Sequence, residues 1–198
     1  MNEGVIKFDL KHTFKKLDIN REVEILESVR MPLFYLRLIG EKDGIGYGNV
    51  SIKVSQKSFL ISGTQTGSKE FLGKSGYALV KDYDLKSFQV ISLGEVKPSS
   101  ESLTHAALYE ILDINCVIHI HSEPLWETAL KSDIAATSKD VEYGSPQMVK
   151  QIKELASTNK LNEGILVTKG HKDGLFFFSD TPSLALKNLL KFSSKLLI

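Results

Sequence analysis

The sequence predicts an α/β fold, with a mixed, largely antiparallel central sheet sandwiched between helix layers. Three observations carry that expectation. Segments with helical apolar spacing interleave with short strand-like runs along the chain. Two of those runs, 49–55 and 59–62, are separated by a short polar turn and so form a hairpin, which a purely parallel wind does not contain. No repeat, low-complexity run or linker interrupts the 198 residues, so one domain spans 1–198, with 1–20 as an N-terminal arm.

Taken in order, residues 5–17 read as a short strand or extended arm, with His12 a solvated side chain. Asn20 is placed to cap a helix starting near Arg21, with Val23, Ile25, Leu26, Val29 and Leu33 on its apolar face. Pro32 falls inside that pattern and predicts a break or kink. Residues 41–48 form a glycine-punctuated loop. In 49–55, Val50, Ile52 and Val54 face one way and Ser51, Lys53 and Ser55 the other, as in a half-buried strand. A loop of small residues follows at 63–68, and short strands at 77–80 and 88–91 flank Lys81, Asp82, Tyr83 and Asp84. Ser99 or Ser100 caps the next helix, on which Glu101, His105, Leu108 and Leu112 fall in one stripe. Residues 116–121 are a buried strand. Helices then open at Pro124, with Leu125, Trp126, Ala129 and Leu130 inward, and at Pro146, with Met148, Val149, Ile152, Leu155 and Ala156 as core face. Strands at 164–168 and 175–178 bracket a loop at 169–174, and Thr181 and Pro182 open a final helix running close to Ile198.

Composition excludes several function classes. A net charge of +1 gives no electrostatic footprint for nucleic acid or an anionic membrane. The single cysteine, Cys116, rules out an internal disulfide framework and reads as a buried thiol. No apolar run approaches the length of a membrane span, and the N-terminus lacks the basic segment and apolar core of a secretion signal, so a cytoplasmic protein is expected.

The chemistry concentrates on the strand 116–121. Side chains alternate across it, so Val117, His119 and His121 share one face while Cys116, Ile118 and Ile120 share the other. Two imidazoles two residues apart on a strand point the same way, as two cis ligands of one metal must. His171, in a glycine-flanked loop at a strand end, is the best candidate for a third ligand. Three neutral imidazoles and an open position make a catalytic zinc arrangement. Glu101 opens the preceding helix within reach of the same pocket, although a carboxylate there also complements the helix dipole. His105 reads as a packed or hydrogen-bonded helix residue rather than a ligand. Gly48 and Asn49, Thr66 and Gly67, and Ser99 and Ser100 are three small-residue segments suited to an anion; the last pair sits at a helix N-terminus, which suits phosphate. Each alone is first a turn or a cap.

In combination these pieces resemble the class II aldolase/adducin family: Gly48-Asn-Val-Ser51, a Thr66-Gly67 loop, Pro98-Ser-Ser-Glu101 with a histidine four residues on, His119-Ile-His-Ser122 and a later glycine-flanked histidine. The resemblance covers about residue 46 to the C-terminal helix. It implies a mixed sheet between helix layers, zinc held by His119, His121 and His171, Glu101 as catalytic acid/base, and a phosphate pocket of Gly48, Asn49, Thr66, Gly67, Ser99 and Ser100. It further implies a zinc-dependent aldehyde-lyase cleaving a phosphorylated ketose or related hydroxy-carbonyl compound, in a homotetramer. Zinc would polarise the substrate's carbonyl and hydroxyl oxygens while Glu101 moves the proton. Dehydratase or epimerase chemistry on the same scaffold is the alternative, and a non-catalytic, adducin-like binding protein is another. The chain departs from the family in a longer loop before Thr66, in Lys172 and Asp173 between His171 and Gly174, in having no tyrosine between His121 and Tyr143, and in lacking the C-terminal tyrosine tail of the aldolases.

Overall fold

The chain runs β1 (Asp9–Phe14), α1 (Asn20–Tyr35), β2 (Gly40–Lys42), β3 (Ile45–Tyr47), β4 (Asn49–Ser55), β5 (Ser58–Ser62), β6 (Tyr77–Asp84), β7 (Gln89–Gly94), α2 (Ser102–Ile111), β8 (Cys116–His121), α3 (Glu123–Leu130), α4 (Pro146–Ser157), β9 (Ile165–Val167), β10 (Gly174–Ser179) and α5 (Pro182–Ser193). The structure is a computed structural model and describes residues 4–197, so residues 1–3 and Ile198 of the expected 1–198 domain lie outside the described residues. Eight strands hydrogen-bond in the order β1-β7-β6-β5-β4-β8-β10-β9. Every pairing in that sheet is antiparallel except β1 with β7, which makes the sheet mixed and largely antiparallel as expected.

Alternation along the strands feeds two cores. Val50, Cys116, Ile118, Ile120, Leu175 and Phe177 pack with α1, α3 and α5 on one face. Phe59, Ile61, Val117, Leu166, Phe176 and Phe178 pack with α2 and α4 on the other. A sheet covered on both faces needs strands that are apolar throughout, which is why 175–178 carries no polar residue. Burying each such aliphatic or aromatic side chain contributes about 1.5–3 kcal/mol.

Several local expectations are revised. Asn20 does not cap α1: Ile19 holds that position without a side-chain cap bond, its side chain packed against the core. Pro32 does not break α1, because only the final turn follows it, and the helix closes with Leu36 N–H donating to Pro32 O at 3.0 Å. The 41–48 loop is the β2–β3 hairpin, turned by Asp43 (φ 54°) and Gly44 (φ 77°), the positive φ pair of a two-residue connection. The first half of β4 is buried on both faces rather than one, since Ser51 lies against α2. Strand β6 continues through Lys81–Asp84 with an irregularity between Val80 and Asp82, so the turn falls at 85–88. Finally, α2 begins at Ser102 and is buried on all sides through Tyr109, so its core face is wider than one stripe.

Candidate metal centre and anion cleft

Strand β8 is pinned between β4 and β10, with His119 opposite Asn49 on one side and Phe176 on the other. The Phe176 ring stacks on the His119 imidazole with centroids 4.1 Å apart. His119 Nδ1–H donates to the Leu175 carbonyl at 3.1 Å, which turns its Nε2 lone pair toward His121. The two Nε2 atoms are 3.2 Å apart. Tetrahedral ligands each about 2.0–2.1 Å from a zinc ion sit roughly 3.3 Å from one another, so the spacing suits a shared cation.

His171 arrives from the β9–β10 loop. Thr168 ties that loop, its hydroxyl donating to His171 O at 3.1 Å and Gly174 O at 2.8 Å, while Gly174 N–H donates back to His171 O. One donor atom from each of His119, His121 and His171 falls within 4.8 Å of the others. Burial, with the two neighbouring imidazoles, holds His119 well below the usual histidine range, so it is neutral and available as a ligand at physiological pH. The donor set fits a borderline divalent ion such as zinc.

Glu101 lies just before α2, and only 3% of it is exposed. Thr104 Oγ1 donates to its Oε2 at 2.6 Å. Its Oε1 has no hydrogen bond among the described residues and lies 3.4 Å from His171 Nδ1. One carboxylate oxygen is therefore held by Thr104 and the other lies against His171. His105 is no ligand, as expected: its Nδ1 sits 2.7 Å from Ser51 Oγ, and burial pushes its pKa down to about 3.

All ten candidate residues line one cleft. Its far wall is built where backbones approach closely. Gly67 packs so tightly on β2 that a Cβ there would meet Gly40 O at 1.9 Å. Gly48 takes φ 73°, and a Cβ there would meet Ile39 Cγ1 at 2.7 Å. Thr66 Oγ1 donates to Gly63 O, closing the 63–67 turn. Ser99 Oγ accepts from Glu101 N–H at 3.2 Å, so Ser99 caps the turn ahead of α2 rather than the helix itself. The Asn49 side-chain oxygen is buried in the cleft without a hydrogen-bond partner among the described residues, which leaves an acceptor for a ligand hydroxyl.

Sequence reasoning missed several contributors. Tyr47, Gln65 and Tyr143 also line the cleft, the Tyr143 ring centroid 5.0 Å from that of His171. Thr104, three residues beyond Glu101, carried a legible signal, since that spacing brings a hydroxyl over a first-turn carboxylate. Arg30 carried none. An arginine in an amphipathic helix reads as a surface residue, yet only 1% of Arg30 is exposed. Its guanidinium donates to Thr66 O at 3.2 Å, to Glu70 O at 2.8 Å and to Lys69 O, with Glu27 Oε2 3.9 Å away. The loop carrying Thr66 and Gly67 is thereby bolted to α1.

Comparison with known proteins bears on the family and the fold. The sequence pattern of the Class II Aldolase and Adducin N-terminal domain matches residues 42–189. A methylthioribulose-1-phosphate dehydratase of Geobacillus thermodenitrificans is 27% identical over 103 residues, 52% of this chain and 46% of that protein, so the match spans less than half of the relative. Among solved structures, YgbL of Escherichia coli superposes with a TM-score of 0.64 at 18% identity, covering 89% of this chain and 87% of that one. The L-fuculose-1-phosphate aldolase of Thermus thermophilus gives 0.62 at 17% identity, covering 89% and 93%. Among the described residues no helix is long and apolar enough to cross a membrane. The chain belongs to the class II aldolase and adducin N-terminal domain family.

Proposed function

We propose that this chain is a zinc-dependent lyase acting on a small phosphorylated hydroxy-carbonyl compound, by proton transfer through Glu101 at a centre held by His119, His121 and His171. The observation that carries this reading is a buried carboxylate whose Oε1 lies 3.4 Å from Nδ1 of His171, one of three converging imidazoles, at the edge of a cleft walled by close-packed glycines and small hydroxyl residues. A divalent cation there would draw electron density from a substrate carbonyl oxygen. The chain's own residues do the rest. Leu175 O and the Phe176 ring fix the His119 imidazole. Thr104 steadies Glu101 Oε2, leaving Oε1 to take or return a proton at the carbon next to the carbonyl. Gly67, Ser99, Ser100 and Thr66 receive the phosphate, and Asn49 Oδ1 accepts from a substrate hydroxyl.

Proton movement beside a carbonyl serves aldol cleavage and dehydration alike. Similarity to the methylthioribulose-1-phosphate dehydratase favours dehydration as the second reading. An adducin-like binding role is less favoured, since binding alone needs neither the triad nor Glu101. We further propose that residues 1–198 form one domain, in a cytoplasmic homotetramer. A 22.1 kDa species on analytical ultracentrifugation would contradict the assembly.

The test is a retro-aldol and dehydration screen of the zinc-loaded protein across phosphorylated ketoses in deuterated water. Glu101→Gln should keep the metal and lose about 10²–10⁴-fold in turnover and in deuterium incorporation. Near wild-type turnover in that variant would place the base elsewhere. Protein that carries no near-stoichiometric divalent metal, and that none activates, would defeat the enzyme reading.

A further inference from the structure

Residues 4–8 lead into β1 and lie ahead of the family pattern, which begins at residue 42. Phe8 is buried in the core beneath α2 and α4, and Ile6 packs against the same core in part. From that anchor the chain crosses the rim of the anion cleft. Lys7 Nζ donates to Glu142 Oε2 at 2.9 Å and to Tyr143 O at 3.3 Å, and it stands 3.9 Å from the centre of the Tyr143 ring. Gly4 lines the cleft itself, together with Thr64, Gln65 and Thr66. It takes φ 76°, and a Cβ there would meet Gln65 Nε2 at 2.0 Å, so the chain fits this rim without a side chain. Residues 4–7 therefore span the rim from the Tyr143 side to the 63–67 turn.

This strap uses binding chemistry that belongs to the cleft. Thr64, one of the cleft's hydroxyl residues, donates through Oγ1 to Gly4 O at 3.4 Å. A backbone carbonyl thus takes a donor that a phosphoryl oxygen would use, and an anionic oxygen makes the shorter and stronger bond. The contacts that hold the strap are weak. The Thr64 bond is long for an O–H donor. The Glu142 side chain is 74% exposed, so its ion pair with Lys7 is screened by water and salt. No strand or helix includes residues 4–8. A segment held this way opens from its anchor at Phe8 at small cost, while the sheet behind it stays closed.

We infer that residues 4–7 form an autoinhibitory strap, latched by Lys7 on Glu142, which a phosphoryl group displaces when it enters the cleft. The inference rests on the proposed function, in which the phosphate lies beside Thr66, Gly67, Ser99 and Ser100. The chain then divides between a strap-closed and a strap-open state, and only the open state binds the anion fully. Apparent phosphate affinity is the intrinsic affinity reduced by the open fraction. Loosening the latch raises that fraction and so tightens phosphate binding. A strap that clamped the bound anion would give the reverse.

Calorimetry with inorganic phosphate on the zinc-loaded full chain tests it. Lys7→Met and Glu142→Gln break the latch from opposite sides, and each should tighten phosphate binding about two- to fivefold, the strength of one exposed ion pair. The double variant should bind no more tightly than Lys7→Met alone. A nitroxide on Val5→Cys reports the strap directly, since Val5 is 49% exposed and Cys116 is too buried to take the label. Phosphate should raise the label's mobility in the otherwise wild-type chain, and Lys7→Met should raise it without phosphate. Unchanged or weaker phosphate binding in either single variant, a double variant tighter than both, or a label that phosphate immobilises or leaves unmoved would each overturn the inference and leave the anion cleft standing. Absence of phosphate binding by the wild type and by all the latch variants would remove the anion-cleft reading and the inference with it.

Discussion

Arg30→Met should cost this protein about 3–5 kcal/mol of stability, because it strands a buried carboxylate. The guanidinium is buried beneath the 66–70 loop and donates to Thr66 O, Lys69 O and Glu70 O. Hydrogen bonds from a charged donor contribute about 1.5–3 kcal/mol each, partly recovered when loop carbonyls reach water. The greater cost comes from Glu27, 4% exposed, which would stay buried without its cation. Breaking one side of a buried pair costs about 3–5 kcal/mol. Leu72 N–H at 2.9 Å and the Tyr77 hydroxyl at 3.0 Å still serve Glu27 Oε1, which keeps the loss near the lower end. Urea unfolding followed by fluorescence of the single tryptophan, Trp126, measures it. Arg21→Met, on the exposed side of the same helix, should stay within about 0.5 kcal/mol of wild type. Adding Glu27→Gln to Arg30→Met should restore at least about 1 kcal/mol by removing the stranded charge. A loss below about 1 kcal/mol for Arg30→Met, or no recovery in the double variant, would refute the claim that this pair bolts the anion loop to α1.

Two further outcomes follow from the same geometry. Gly67→Ala puts a methyl group 1.9 Å from Gly40 O, so the loop and the β2–β3 hairpin must part; we expect a loss of about 1–3 kcal/mol and weaker binding of inorganic phosphate, with zinc affinity kept, measured by melting and calorimetry. His105 has a folded pKa of about 3, below its ordinary 6.5, so the unfolded chain binds more protons between those values. Its contribution is whole above pH 6.5 and is lost on acidification toward pH 3, at up to about 1.4 kcal/mol per pH unit. His105→Gln should flatten the slope of stability between about pH 6.5 and 5, and an unchanged slope would show that His105 is not the group responsible.

What could be read from the sequence was whatever a local period or a local spacing determines. Alternation put His119 and His121 on one face of a buried strand, and the hairpin at 49–62 settled a mixed sheet over a parallel one. The glycines and serines of the cleft were visible as small-residue loops, although only the fold shows that Gly67 is required by Gly40 O. What could not be read depends on long-range partners. Ser51 was assigned to an exposed face because alternation says nothing about a second layer, whereas α2 covers it through His105 and Tyr109. Pro32 was read as a breaker because its distance from the helix end was unknown. Arg30 was invisible because the carbonyls it serves lie 36 to 40 residues away in sequence.

The most direct measurement is a zinc titration of the wild type and of His171→Ala, with melting curves taken with and without chelator. His119 and His121 share one strand and form a weak pair by themselves, while His171 closes the site from a separate loop. We expect one zinc per chain in the wild type, a loss of affinity of at least about 10-fold in His171→Ala, and a drop in melting temperature for that variant only when zinc is present. Equal zinc affinity in the two proteins would show that His171 is not a ligand and that the converging imidazoles are not the metal centre proposed here.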